Sequence, residues 1–286
     1  MDTFNPPRRA FIQGALAAGF ALAVQPVAAG SIATDSRALD SGLAGIPLDD
    51  GILPVYFARP AASGSLPIVL VVQEVFGVHE HIRDICRRLA KLGYLAVAPE
   101  LYFRQGNPAA SPDIASIIKD IVSKVPDAQV MQDLDATLGW AAAHGGDASR
   151  AAITGFCWGG RISWLYASHN ARLKAGIAWY GKLEGAHDAL TPTQPVDLAA
   201  SLSVPVLGLY GGQDNSIPQD TVVHMRQALQ QGHSDSQIVV YPTAGHAFNA
   251  DYRSSYQAAA AQDGWQRLQT WLNSHGMQAS KPAGAD

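Results

Sequence analysis

From Leu66 onward the chain alternates short, unbroken apolar runs with stretches of helical periodicity, and few folds accommodate that alternation. A run apolar on both faces belongs to a strand covered on both sides, as in a parallel sheet flanked by helices. Strand runs occupy residues 68–73, 95–98, 151–155, 175–180, 206–210 and 238–241, and helical periodicity occupies 81–92, 114–122, 128–144, 159–168, 219–231 and 254–274. Upstream, residues 46–48 and 53–57 flank Asp49-Asp50-Gly51, a turn signal that predicts an antiparallel hairpin. No internal repeat or second core is visible. One doubly wound, mostly parallel α/β domain over residues 46–275 is expected, after a polar linker at 30–45 and before a polar tail at 276–286.

The first 29 residues read differently. Arg8-Arg9 precedes the weakly apolar stretch 12–24, and Val27 and Ala29 supply small residues before a cleavage point. This is the pattern of a twin-arginine signal peptide. Gln13, Gln25 and Pro26 make a poor membrane span. The expectation is a mature protein starting near Gly30, exported folded by the twin-arginine machinery, periplasmic or secreted, and without stable membrane association. A formal net charge of −4 and the lack of a Lys/Arg stripe argue against nucleic acid as a partner. A small-molecule substrate and a monomer are expected. The only cysteines are Cys86 and Cys157. Cys86 falls on the apolar face of the helix over 81–92, too awkwardly placed to pair with Cys157.

In doubly wound sheets, ligands bind beyond the carboxyl ends of the strands. Glu74, Cys157, Asp214 and His246 each follow a strand run, and Arg104 lies slightly further on. Cys157 occupies Gly155-Phe156-Cys157-Trp158-Gly159-Gly160, a glycine-flanked strand-to-helix turn that forces one side chain into an exposed, strained position. The order Cys157, Asp214, His246 matches nucleophile, acid and histidine in the α/β-hydrolase fold. In that arrangement His246 takes the nucleophile's proton and Asp214 orients the imidazole. Each residue has a plainer reading. Cys157 could be a small buried hydrophobe, Asp214 a turn former or helix cap before Pro218, and His246 a satisfied surface histidine. Asp220 is a rival acid but lies inside the next helix.

Glu74 follows a buried strand in Gln73-Glu74-Val75-Phe76-Gly77, where a carboxylate needs a partner or a task. A salt bridge to Arg83 or Arg104 would supply the first. The remaining histidines, His79 and His81 among them, fall in helices or loops with no evident partner. The alternating spacing of His79 and His81 does not converge on one ion, so no metal and no cofactor are expected.

These motifs, with Ala98-Pro99-Glu100-Leu101-Tyr102-Phe103-Arg104-Gln105-Gly106, Tyr210-Gly211-Gly212-Gln213-Asp214 and Gly245-His246-Ala247-Phe248, make the chain resemble the dienelactone hydrolases (carboxymethylenebutenolidases) from about Ile46 to the last helix. The resemblance implies a Cys157-Asp214-His246 triad. It also implies that Glu74 contacts a resting, neutral thiol and helps release the thiolate when substrate binds. Further implications are an oxyanion hole from the backbone N–H groups of Val75 and Trp158, and a pocket including Phe76 and Tyr102. Arg104 would hold a substrate carboxylate, for which a guanidinium is well shaped. The family's second arginine, a few residues after the histidine, is displaced here to Arg253.

The activity expected is hydrolysis of small lactones or activated esters through a thioester. A broad carboxylesterase acting on uncharged esters, and a non-catalytic periplasmic thiol or binding module, are the alternatives. A serine esterase is disfavoured because neither Ser163 nor Ser216 sits in an elbow.

Overall fold

A computed structural model describes residues 31–61 and 64–279. The export signal expected over residues 1–29 and the end of the chain from residue 280 lie outside the described residues. The elements run β1 (Leu39–Leu48), β2 (Gly51–Pro60), β3 (Leu66–Val72), α1 (Glu80–Lys91), β4 (Leu95–Pro99), α2 (Ile114–Asp120), α3 (Asp127–Ala143) and β5 (Gly146–Phe156). They continue with α4 (Trp158–His169), β6 (Ala175–Trp179), the short α5 (Pro195–Leu198), β7 (Val206–Gly211), α6 (Gln219–Gln230), β8 (Gln237–Tyr241) and α7 (Ala258–Ser274).

The eight strands form one sheet in the order β1-β2-β4-β3-β5-β6-β7-β8. The β1–β2 and β2–β4 pairs are antiparallel, and all later pairs are parallel. Every residue of β3, β4, β6 and β7 is buried, which is why these strands read as unbroken apolar runs. The helix α1 covers its part of the sheet with Ile82, Ile85, Cys86 and Leu89, and carries Glu80 in its first turn and Arg88 and Lys91 in its last. Those charges complement the helix dipole at both ends. Among the described residues, no helix is long and apolar enough to cross a membrane.

Two boundaries differ from the sequence expectation. The first strand of the hairpin begins at Leu39, inside the expected linker, and pairs with β2 from Leu39↔Pro60 to Leu48↔Gly51. Polar and small residues hid it, because pairing along β2 organises β1 more than burial does. At the other end, Met277 is fully buried and its carbonyl accepts from Tyr94 Oη at 2.9 Å. The expected polar tail therefore starts on the core.

Before the sheet, residues 32–37 lie against α1. The Thr34 N–H donates to Asp84 at 2.6 Å, and Arg87 donates to the Thr34 carbonyl at 2.9 Å.

Candidate active site

The site lies at the carboxyl ends of β3, β5, β6, β7 and β8, where the parallel strands stop and their loops converge. Cys157 links β5 to α4 with φ +55, a left-handed conformation that costs a non-glycine residue of order 1–3 kcal/mol. Backbone bonds hold the corner: the Cys157 N–H donates to the Trp179 carbonyl, and the Gly160 and Arg161 N–H groups donate to the Cys157 carbonyl. Gly159 lets α4 approach β3, since a Cβ there would sit 2.5 Å from the carbonyl oxygens of Val72 and Gln73. Trp158 is the first residue of α4, so its N–H precedes regular helical bonding and is free for a ligand. Val75 lies in the turn after β3, the loop from which the elbow motif draws its second backbone donor.

Three sequence-selected side chains meet in a line. His246 Nε2 is 3.2 Å from Cys157 Sγ, and His246 Nδ1 is 2.7 Å from Asp214 Oδ2. The Asp214 side chain is completely buried, and its other oxygen accepts from the Ser216 N–H. Asp214 therefore does cap its turn, but with the oxygen His246 does not use. Burial disfavours charge on His246, yet its hydrogen bonds to Asp214 and Cys157 outweigh this and push it up to about 10. The imidazole thus holds a proton readily between a sulfur and a carboxylate.

Glu74 is 1% exposed. Its Oε2 accepts from Tyr252 Oη at 2.6 Å and lies 3.4 Å from His79 Nε2. Neither Arg83 nor Arg104 pairs with it. Arg83 donates to the Val78 carbonyl, and Arg104 is engaged elsewhere. Burial alone would raise the Glu74 carboxyl, but the hydrogen bonds from His79 and Tyr252 prevail and lower it. Burial holds His79 below its ordinary value, so at neutral pH a carboxylate faces a neutral ring. Oε1 of Glu74 is buried and has no hydrogen-bond partner among the described residues. The bond expected between Glu74 and the resting thiol is replaced here by the Tyr252 hydroxyl.

Most of the histidines expected to lack partners have them. His81 Nδ1 lies 3.1 Å from Asp251, which also binds Arg88, while His169, His187 and His224 pair with Asp135, Asp197 and Glu184. Most of these partners come from distant elements, which sequence adjacency does not reveal.

Arg104 does not join the cluster. Its guanidinium lies 4.2 Å over the Phe103 ring and binds Asp50 in the hairpin turn and Asp133 on α3. The turn after β4 directs it away from the strand ends, so the carboxylates it holds are the protein's own. Arg253 is placed differently: its guanidinium stands 5.5 Å over the Phe76 ring and makes no ion pair among the described residues. Phe76, His79, Tyr252, Arg253, Ile114 and Ile117 line a cavity of about 470 Å³. A second cavity of about 940 Å³ is lined by Leu138, His169, Arg172 and Lys174, and neither cavity has Cys157, Glu74 or His246 in its lining.

Tyr102 is buried against Trp158, ring centroids 4.9 Å apart, and its hydroxyl has no partner among the described residues. Tyr180, which the sequence reading passed over, shares that condition. It has φ +38, its hydroxyl is buried and unpaired, and its ring packs edge-on to His246 at 5.3 Å. It directly follows β6, so the strand-end rule that selected the other residues also points to it. Tyr252 had no comparable signal.

An eight-stranded, mostly parallel sheet with a nucleophile-type elbow and a histidine after its last strand defines an α/β-hydrolase. The model of the "Dienelactone hydrolase family" matches residues 53–276, and the chain belongs to that family, a family of lactone and ester hydrolases. A Methylorubrum extorquens protein provisionally named a carboxymethylenebutenolidase is 58% identical over 272 residues, covering 94% of each chain. A Bradyrhizobium protein, named as a probable 2-oxo-3-(5-oxofuran-2-ylidene)propanoate lactonase, is 30% identical over 226 residues, covering 77% of this chain and 88% of its own. Among solved structures, a provisionally named dienelactone hydrolase from Klebsiella pneumoniae is 62% identical with a TM-score of 0.81, covering 82% of this chain and 99% of its own.

Proposed function

We propose that this hydrolase opens small lactones or activated esters through Cys157 and a thioester intermediate. The observation that carries the reading is the continuous line from Cys157 Sγ through His246 to Asp214, at 3.2 and 2.7 Å. Sγ gives its proton to His246 Nε2 and attacks the carbonyl carbon, while Asp214 stabilises the imidazolium. The Val75 and Trp158 N–H groups receive the developing oxyanion. The C–O bond of the ester breaks, His246 returns the proton to the leaving oxygen, and water then hydrolyses the thioester. Glu74, held low by its neighbours and with one oxygen unpaired among the described residues, is the carboxylate that the family resemblance sets to assist release of the thiolate once substrate binds.

Arg253 suits a substrate that bears a carboxylate, since its guanidinium has no acidic partner among the described residues and stands at a partly apolar cavity. The Bradyrhizobium relative's name specifies a lactone with a propanoate group, which supports the same substrate class. Export through the twin-arginine route to the periplasm completes the proposal and rests on Arg8-Arg9 and the apolar stretch after them.

The test is turnover of a dienelactone and a p-nitrophenyl ester by the wild type and Cys157→Ala. Many turnovers per wild-type molecule and none for the variant are expected. Retained turnover in Cys157→Ala refutes the cysteine mechanism, and a single stoichiometric thiol modification in the wild type favours a binding module.

A further inference from the structure

Glu100 follows β4, and its carboxyl group turns inward. Oε1 is buried and has no hydrogen-bond partner among the described residues, and Oε2 accepts from the Val78 N–H at 2.9 Å. On the other side of the same residue, Arg83 Nε of α1 donates to the Val78 carbonyl at 3.2 Å. Val78 is therefore gripped at both of its backbone groups by opposite charges from two different elements.

A third contact fixes the neighbouring residue. Gly77 has φ +78, and a Cβ there would lie 3.0 and 3.1 Å from the two oxygens of Glu100. The Gly77 N–H donates to the Glu74 carbonyl, and the Gly77 carbonyl accepts from the His79 N–H. Residues 74 to 79 thus form one hydrogen-bonded turn with Glu100 pressed against its far side. That turn carries Glu74, Val75 and Phe76. Glu100 itself takes no part in the chemistry proposed above.

We propose that Glu100 is a positioning residue for this turn: its carboxylate, opposite Arg83, fixes the Val78 backbone and thereby holds the Val75 N–H and the Glu74 side chain in register with Cys157. The inference rests on the proposed cysteine mechanism. Since an oxyanion donor acts only when pre-aimed, a residue that clamps the donor's turn contributes to kcat more than to KM.

The clamp also carries a pH dependence. Burial pushes the Glu100 carboxyl up to about 7, against the Val78 N–H bond, which lowers it. The groups facing it are Gln73, which is neutral, Arg83 from α1, and Tyr102, whose hydroxyl burial keeps protonated. Arg83 in turn faces Tyr56 on β2 and Glu80 on its own helix. An ionised carboxylate is the stronger acceptor, so the grip is firm above about 7 and slackens as the pH falls through it.

The experiment compares the full chain with Glu100→Ala and Glu100→Gln, measuring kcat and KM for one ester between about pH 6 and 8.5 and iodoacetamide alkylation of Cys157. Glu100→Ala is expected to lower kcat by ~10–100-fold with KM within about twofold. Glu100→Gln keeps the size and an uncharged acceptor. Its kcat should approach wild type at the acid end and fall behind at the alkaline end, so that the wild-type-to-variant ratio grows through pH 7. Alkylation of Cys157 should still occur in both, which shows that the elbow itself remains folded.

A lower melting temperature with kcat and its pH profile unchanged overturns the inference, as does a kcat ratio for Glu100→Gln that is constant with pH. If Cys157→Ala still turns over, the cysteine mechanism fails and the inference falls with it. If Cys157→Ala is inactive while both Glu100 variants match wild type, only the role of Glu100 fails.

Discussion

Replacing Tyr252 with phenylalanine removes one oxygen atom and isolates the bond that most directly holds Glu74. In the native structure Tyr252 Oη donates to Glu74 Oε2 at 2.6 Å, with the carboxylate 1% exposed and His79 further off at 3.4 Å. Hydrogen bonds to charged groups contribute about 1.5–3 kcal/mol net, and water cannot substitute at this depth, so a loss of about 2 kcal/mol is expected at pH 7. For a domain of this size that corresponds to a fall in melting temperature of about 4–8 °C.

The pH dependence has a definite sign. Glu74 is depressed in the folded state from 4.5 to about 2, chiefly by His79 and in smaller part by the Tyr252 hydroxyl, so what these contacts contribute is fully present above 4.5 and is lost as the pH falls through about 2. Urea unfolding followed by tryptophan fluorescence, at pH 7 and at steps below 4.5, should give a wild-type-to-variant gap that is constant at first and then closes. A gap near zero at pH 7, or one that stays open as the pH approaches 2, would refute the assignment. The first outcome means the hydroxyl does not hold the carboxylate, and the second means that the loss is one of packing.

Arg104→Ala should destabilise the fold by about 2 kcal/mol, less than the ~3–5 kcal/mol for breaking a fully buried pair, because the guanidinium is 21% exposed while Asp133 is 1% exposed. Its kcat/KM should change by the same factor for carboxylated and neutral esters, and a loss confined to carboxylated substrates would show that Arg104 reads the substrate after all. Alkylation of the native protein should label Cys157 and spare Cys86, which is fully buried and whose thiol burial pushes far above its ordinary value. Labelling of native Cys157→Ala, read by mass spectrometry, would contradict that burial.

Sequence reasoning selected three side chains that the structure brings into contact because their positions are written locally. A strand end, a glycine-flanked corner and a fixed order along the chain are all one-dimensional signals, and Cys157, Asp214 and His246 each sit on one. The partner of Glu74 was not legible in this way. Tyr252 is 178 positions away, and only the turn after His246, pinned by Asp251 to His81 and Arg88, brings it over the carboxylate. Arg104 shows the reverse failure, since a motif suggested substrate contact while Asp50 and Asp133, which belong to separate elements, claim its charge.

By itself, then, the sequence determined the layered α/β architecture, the buried parallel strands and the positions from which reactive groups emerge. Periodicity and glycine spacing record what each segment must bury and where the backbone must bend. The tertiary structure alone decided which charges meet: Tyr252 and His79 on Glu74, Glu100 and Arg83 on Val78, Asp133 on Arg104. Electrostatic and hydrogen-bond partners are chosen by distance in space, and folding makes neighbours of residues whose separation along the chain carries no trace of it.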